Sequence, residues 1–268
     1  FFGGDIFIYK YENTYTSSWD TIGTISSLGG RNRDDFRNLG ALSMNSDGTR
    51  VAFSNGATDF IEVWEYISDN NWVKISSGIT ENNFSSTDAG VLRSYASPAL
   101  RLNDDGDTLI YAGTTSDDGY NNSNFGTEGE AYVYTYAGSG TTWTQKGQTL
   151  PCTGYQWCQL AINGPGNIIA LIDREEGIVN YGGTSLRIYE YNTANDQWAI
   201  SQTLLNTVQI ENEAAGGWMF IAMNYLGDRI ITSELMGIEA NIYERDPSFV
   251  RYVEIIQDTS SNIFQRKF

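Results

Sequence analysis

The sequence contains no histidine among its 268 residues. This absence excludes Ser-His-Asp and Cys-His catalytic arrangements and every metal site with histidine ligands. Only four residues are lysine, and 33 acidic residues stand against 16 basic ones, so the net charge is −17. Such a charge disfavours binding to a nucleic-acid backbone. No apolar run approaches the roughly 18 residues of a transmembrane helix, and we therefore expect no membrane span.

An internal repeat runs along the whole chain. Aromatic pairs recur in the segments IYKY, VWEY, VYTY and IYEY, and IYER is a degenerate fifth copy. A further aromatic residue follows each copy at Trp19, Trp72, Trp143, Trp198 and Tyr252. A second motif, Asn-x-x-Gly between two apolar runs, lies between these segments. Its glycines, Gly48, Gly106, Gly166 and Gly227, are 58, 60 and 61 residues apart. Periods of this size indicate blades, solenoids or arrays.

Each unit is predicted to form four short β-strands, which in the best-defined copy are 41–45, 49–54, 61–66 and 72–76. The third strand is apolar on both faces at its centre: Tyr134 points to one side and Val133 to the other. A sheet with one solvated face would alternate with polar residues. We therefore expect small sheets that are covered on both sides, as in a β-propeller. The aromatic stripes at 9/11, 64/66, 134/136 and 189/191 are expected in the core.

The segments ALSMNSDGTRVAFS, LRLNDDGDTLIYAG and GEAYVYTYAGSGTTWTQKGQTL resemble the FG-GAP-like and Trp-Asp-like propeller repeats. The resemblance covers nearly the whole chain. It implies an all-β propeller of four-stranded antiparallel blades. Such repeats are common in surface and secreted proteins of microbes and in large DNA viruses and marine phages. The resemblance indicates the fold and says almost nothing about activity.

The predicted organisation is a single propeller domain over 1–268, with about five blades or part of a larger propeller. Two outer strands occupy 5–25, and full blades occupy approximately 40–77, 98–150, 159–205 and 219–257. Residues 258–268 are expected to lead into a further blade. Because the chain begins without Met or a signal peptide, we expect a processed or partial polypeptide. A closed ring would need two more strands to complete the first blade, and we therefore expect the chain to continue past Phe268. An atypical five-blade closure is the alternative.

Length variation concentrates in the loops of one propeller face, where binding residues are usually found. The cluster Arg31, Arg33 and Arg37 could bind a sulfated or acidic glycan or a partner's carboxylates, or pair locally with Asp34 and Asp35. The aromatic side chains of Tyr155, Trp157 and Trp218 could stack on sugar rings, or pack under neighbouring loops.

The loop 114–130 carries Asp117, Asp118 and Asn121, which could hold Ca²⁺ or form a solvated acidic loop, and no cofactor is required. The segment NDDGD at 103–107 departs from calcium loops at Arg101 and Leu109, so a plain hairpin corner is expected there. Cys152 and Cys158 are close enough in sequence for a local disulfide, with two buried thiols as the alternative. Asn83 and Asn121 begin N-glycosylation triplets.

These features predict a non-enzymatic protein on a cell surface, in the extracellular space or on a virion. Its function would be adhesion or structural interaction, with a glycan or protein bound by the variable-loop face. The chain could be a segment of a larger assembly. Two alternatives remain open. One is a propeller glycosidase or lyase that uses carboxylates at the channel mouth, and the other is an intracellular protein–protein scaffold. No residue is singled out as catalytic.

Overall fold

The computed structural model consists of β-strands and tight turns. It describes residues 4–12, 18–28, 39–55, 60–77, 79, 100–114, 128–153, 159–174, 183–209, 219–234, 240–246, 251–258 and 263–267. Within these ranges the chain forms twenty strands. None of the described residues belongs to a helix that could cross a membrane.

The strands form five antiparallel sheets that follow one another along the chain. The first sheet, here called the outer pair, consists of β1 (Gly4–Glu12) and β2 (Ser18–Leu28). Blade I consists of β3 (Leu39–Met44), β4 (Arg50–Asn55), β5 (Phe60–Ser68) and β6 (Asn71–Lys74). Blade II consists of β7 (Leu100–Leu102), β8 (Thr108–Thr114), β9 (Glu128–Tyr136), β10 (Trp143–Gln145) and β11 (Leu150–Thr153).

Blades III and IV repeat this order. Blade III consists of β12 (Gln159–Ile162), β13 (Ile168–Arg174), β14 (Gly183–Asn192) and β15 (Gln197–Gln209). Blade IV consists of β16 (Met219–Met223), β17 (Arg229–Glu234), β18 (Ala240–Asp246), β19 (Arg251–Asp258) and β20 (Ile263–Lys267). The predicted four-stranded antiparallel pattern is confirmed.

Two blades carry an additional strand segment. In blade II, β10 and β11 both pair with β9, so the fourth strand is interrupted between its two halves. In blade IV, β20 pairs with the outer edge of β19. The sequence analysis expects 258–268 to lead into a further blade, whereas Ile263–Lys267 extend blade IV outward. The outer edge of β19 offers unpaired backbone groups to a further strand. Because β20 follows β19 after only a few residues, its pairing there costs little loop-closure entropy.

The corner between the first and second strand of each blade is organised by the repeated asparagine. In blade III, Asn163 Oδ1 accepts the backbone N–H groups of Asn167 and Ile168 at 2.9 and 2.8 Å. Gly166 closes the corner at φ +67°, a conformation that glycine adopts without strain. The asparagine side chain therefore supplies the acceptor for two backbone N–H groups and holds this short corner together.

Corners of neighbouring blades interlock. Asn103 Nδ2 of blade II donates to Gly164 O of blade III at 2.9 Å, and Gly164 N donates to Tyr225 O of blade IV at 2.8 Å. A Cβ atom added at Gly166 would lie 2.8 Å from Thr108 Cβ in blade II, closer than real side chains approach. The glycine is thus required both by its own backbone and by the preceding blade.

The aromatic residue of the fourth strand connects the outer parts of neighbouring sheets. Trp72 Nε1 donates to Ile22 O at 3.3 Å, Trp143 Nε1 to Ile75 O at 3.1 Å and Trp198 Nε1 to Lys146 O at 2.8 Å. In each case the acceptor belongs to the preceding sheet. Each indole therefore buries its ring between two sheets and satisfies its polar N–H there.

The core consists of four hydrophobic clusters, each shared between two consecutive sheets. Val133 packs toward blade III and Tyr132 toward blade I, as the two-sided apolar pattern predicts. The prediction for the stripe at 9/11 is wrong: Tyr9 and Tyr11 are exposed. No described sheet precedes the outer pair, so nothing among the described residues covers that face.

We predict that Gly166→Ala destabilises the protein more than Gly138→Ala. Both glycines have positive φ, but a Cβ at Gly138 would meet nothing within 4 Å. The control should cost about 1–2 kcal/mol for the left-handed backbone. Gly166→Ala should cost roughly 1–3 kcal/mol more, because it overpacks the contact with blade II. Urea unfolding measures both free energies, and equal losses would contradict the interlocking of corners.

Candidate functional site

The first strands of the four blades form the inner side of the array. β3 contacts β7, β7 contacts β12, and β12 contacts β16, whereas the fourth strands lie at the opposite edge of each sheet. Every first strand begins, and every second strand ends, at the side where the longest connections leave the sheets. We call this side the loop face and the opposite side the corner face.

Apart from Cys152, the site residues predicted from the sequence lie outside the described part of the chain. They are Arg31, Arg33, Arg37, Asn83, Asp117, Asp118, Asn121, Tyr155, Trp157, Cys158 and Trp218. Their segments connect β2 to β3, β6 to β7, β8 to β9, β11 to β12 and β15 to β16. All of these connections start and end at the loop face. Their roles stay predictions.

Arg101 is the charged residue of β7 on the inner side of the array. Its side chain is half-buried, and its Nη1 donates to Leu100 O at 2.8 Å. Burial lowers the pKa of the Arg101 guanidinium. No carboxylate among the described residues pairs with it. A partly desolvated guanidinium whose one side-chain hydrogen bond among the described residues goes to a backbone carbonyl is a group that favours an anionic ligand.

Several other basic side chains of the array are paired with carboxylates. Arg50, Lys74 and Arg245 each have a nitrogen within 3.0 Å of a carboxylate oxygen. Arg101 also differs from its repeat equivalents, the residues two places before the corner asparagine, which are Ser43, Ala161 and Ala222. That contrast was available in the sequence, but the sequence analysis used Arg101 only as a departure from a calcium motif.

Two carboxylate residues occupy equivalent positions at the loop face. Asp173 and Glu234 each stand ten residues after a corner asparagine, near the end of the second strand of blades III and IV. Asp173 is in register with Ser185, and Glu234 with Met219. Blades I and II have Asn55 and Gly113 at this position. The inner hairpins of two adjacent blades thus each present one carboxylate residue at the loop face.

Three acidic residues of the corner face, Asp47, Asp107 and Asp228, have structural partners within their corners. Asp107 Oδ1 accepts from Asn103 Nδ2 at 2.8 Å and from Thr108 Oγ1 at 3.1 Å. The segment 103–107 forms the hairpin corner between β7 and β8. Across the described ranges, no group of three or more Cys, Asp or Glu residues is arranged to hold a metal ion.

Cys152, on β11, is buried and disulfide-bonded. Its predicted partner, Cys158, lies outside the described residues. The pairing of these two cysteines therefore remains a prediction.

Comparison with known proteins identifies the fold. No protein-family model and no curated protein matches the chain. The structure is similar to a Lactobacillus plantarum protein (TM-score 0.55, 12% identity, 92% of this chain and 63% of the other). It is also similar to a proposed 6-phosphogluconolactonase of Bacteroides uniformis (0.55, 11%, 97% and 68%) and to the periplasmic gluconolactonase of Pseudomonas aeruginosa (0.51, 10%, 99% and 77%).

The chain has a β-propeller fold. It spans less than two thirds of the Lactobacillus plantarum protein. The comparisons support the propeller part of the expected resemblance and do not show the FG-GAP-like repeats.

The prediction of a non-enzymatic adhesion or structural module is wrong. The solved structures that overturn it are propellers named as gluconolactonase or 6-phosphogluconolactonase. The error has a physical origin. The residues that distinguish an enzyme from a binding module lie in the loops of a propeller. The sequence repeats indicate only the positions of its strands, so they could not distinguish the two functions.

We predict that Arg101→Ala leaves the free energy of unfolding unchanged or raises it by up to about 1 kcal/mol. Residues retained for function are commonly suboptimal for stability, and alanine is the natural residue at this position in blades III and IV. Urea unfolding measures the change. A loss above about 1 kcal/mol would show that Arg101 is structural.

Arg50→Ala is the matched control for this prediction. The Arg50 guanidinium binds Glu65 Oε1 at 2.6 Å and Gly106 O at 3.2 Å, and lies 4.9 Å from the centre of the Tyr136 ring. Its removal should cost about 1–3 kcal/mol, because half-buried acceptors lose their donor.

Proposed function

We propose that the protein is a hydrolase that opens the ring of an anionic sugar lactone at the loop face. The similarity to propellers named as gluconolactonase and 6-phosphogluconolactonase is the observation that carries this proposal. The proposal keeps the carboxylates at the channel mouth that the enzymatic alternative in the sequence analysis invokes. It replaces glycoside cleavage with cleavage of an intramolecular ester.

The chemistry requires a group that accepts a proton from water. Water adds to the lactone carbonyl carbon, the ring C–O bond breaks, and the departing alkoxide takes up a proton to give an open-chain hydroxy acid. Histidine is absent from the chain, so a carboxylate is the available base whose ordinary pKa keeps it ionised near neutral pH. Asp173 and Glu234 are the proposed bases because of their equivalent positions at the loop face.

Arg101 is proposed to bind the anionic group of the substrate. A guanidinium can hold a carboxylate or a phosphate through two parallel hydrogen bonds, and partial desolvation strengthens that attraction. The aromatic residues Tyr155, Trp157 and Trp218 are proposed to stack on the sugar ring. A Ca²⁺ ion held by Asp117, Asp118 and Asn121 remains a separate proposal for ordering the same face.

We also propose that the protein acts outside the cytoplasm. The disulfide bond of Cys152 supports this location, because disulfides persist in oxidising compartments. The similarity to a periplasmic gluconolactonase is consistent with it.

We predict that the purified protein releases acid from gluconolactone or from its 6-phospho derivative faster than the spontaneous reaction. Asp173→Asn or Glu234→Gln should lower kcat at least about 100-fold, which is the usual contribution of a general base. A pH-stat assay, corrected for spontaneous hydrolysis, measures the rate. A folded protein without activity on either lactone would contradict the proposed function.

Asp105→Asn is the matched control. Asp105 is exposed on the corner face of blade II, so its substitution should leave the rate unchanged. A loss of rate in the control as large as in Asp173→Asn would contradict the assignment of the bases. Arg101→Ala should mainly raise KM, and more strongly for the phosphorylated lactone.

A further inference from the structure

The packing of consecutive sheets follows one rule throughout the array. Each sheet has a leading face, which packs on the preceding sheet, and a trailing face, which packs on the following one. The residue three places before the corner asparagine shows the rule on the first strands. Leu100, Leu160 and Ile221 point to the leading side, and all three are buried against the preceding blade.

Blade I departs from this rule at its inner strand. Leu42, the equivalent residue of β3, is 56% exposed, and its neighbour Met44 is exposed as well. The outer part of the same face is covered: Trp72 is buried and reaches Ile22 of the outer pair. The exposed area is therefore confined to the place where a first and second strand would precede blade I.

The outer pair has a matching open edge. β1 and β2 correspond to the third and fourth strands of a blade, and β5, the third strand of blade I, pairs with β4 on one side and β6 on the other. β1 pairs only with β2 among the described residues. Its second edge is the position that a second strand occupies in every blade.

We propose that this surface binds a β-hairpin of the repeat's own inner type, an Asn-x-x-Gly corner between two apolar strands. The second strand of the hairpin would pair antiparallel with β1, and its first strand would cover Leu42 and Met44. Continuity with the interfaces between blades defines this partner, because the same hairpin fills the same place in four consecutive units. The surface is independent of the proposed hydrolase site.

The corner of blade I supplies the acceptor that such a hairpin requires. In two of the existing interfaces, the backbone N–H of the residue after one corner asparagine donates to the carbonyl of the residue after the next corner asparagine: Ser46 N to Asp104 O at 3.1 Å, and Gly164 N to Tyr225 O at 2.8 Å. Ser46 is the equivalent of Gly164 in blade I. A docked hairpin would therefore donate the backbone N–H of the residue after its own asparagine to Ser46 O, which fixes its register as well as its orientation.

A peptide of residues 159–174 tests the proposal. This peptide is the inner hairpin of blade III, carries one Asp and one Arg, and is not repelled by the strongly acidic protein. Added terminal cysteines closed as a disulfide would hold the hairpin shape, since isolated hairpins are marginally stable. We expect saturable binding and at least about tenfold slower amide hydrogen exchange in 4–12, as for edges that become paired.

Two controls make the test specific. Leu42→Asp should abolish the protection of β1, whereas Ile200→Asp should preserve it, because Ile200 is 55% exposed on β15, away from this surface. A peptide with Asn163→Ala should bind at least about tenfold more weakly. Unchanged exchange of β1 at saturating peptide, or equal protection in the Leu42→Asp variant, would overturn the proposal. So would a free protein that is a dimer with β1 already protected.

Discussion

The structure depends on the burial of each sheet's leading face by the sheet before it. Every blade is apolar on both sides of its third strand, so no blade can exclude water from its own faces. Trp19 shows what happens where no described sheet precedes: its side chain is 67% exposed, whereas Trp198, the same repeat position in blade III, is 3% exposed. The fold is therefore stable as an array, in which each unit supplies part of its neighbour's core.

This constraint acts differently on the two ends of the blades. At the corner face, the asparagine, the glycine and the first residues of the second strand all contact the next or the preceding corner, so their identities are fixed by packing and hydrogen bonds. At the loop face, the strands end and the connections differ in length from blade to blade. Residue type can thus differ between blades mainly at the loop face. A functional site is therefore expected at that face.

The strands and their order could be predicted from the sequence because they depend on local alternation and on a repeated corner. The buried side chains Tyr136, Tyr189 and Val133 follow from the same pattern. The exposure of Tyr9 and Tyr11 could not, since burial depends on the neighbouring sheet and not on the strand itself. β20 was missed for a related reason: an edge strand is selected by the open partner edge, whose position only the folded array defines.

The candidate site was harder to predict because its residues are exceptions to the repeat and not members of it. Arg101 replaces a small residue, and Asp173 and Glu234 replace uncharged ones, at positions whose inner location becomes evident only once the first strands are seen in contact. In a repeat protein, a residue that matches its equivalents in the other blades indicates a role in packing. A departure that costs stability, such as a half-buried guanidinium without a described carboxylate partner, requires a compensating interaction. An anionic ligand would provide that interaction, which is the role that the proposed function gives to Arg101.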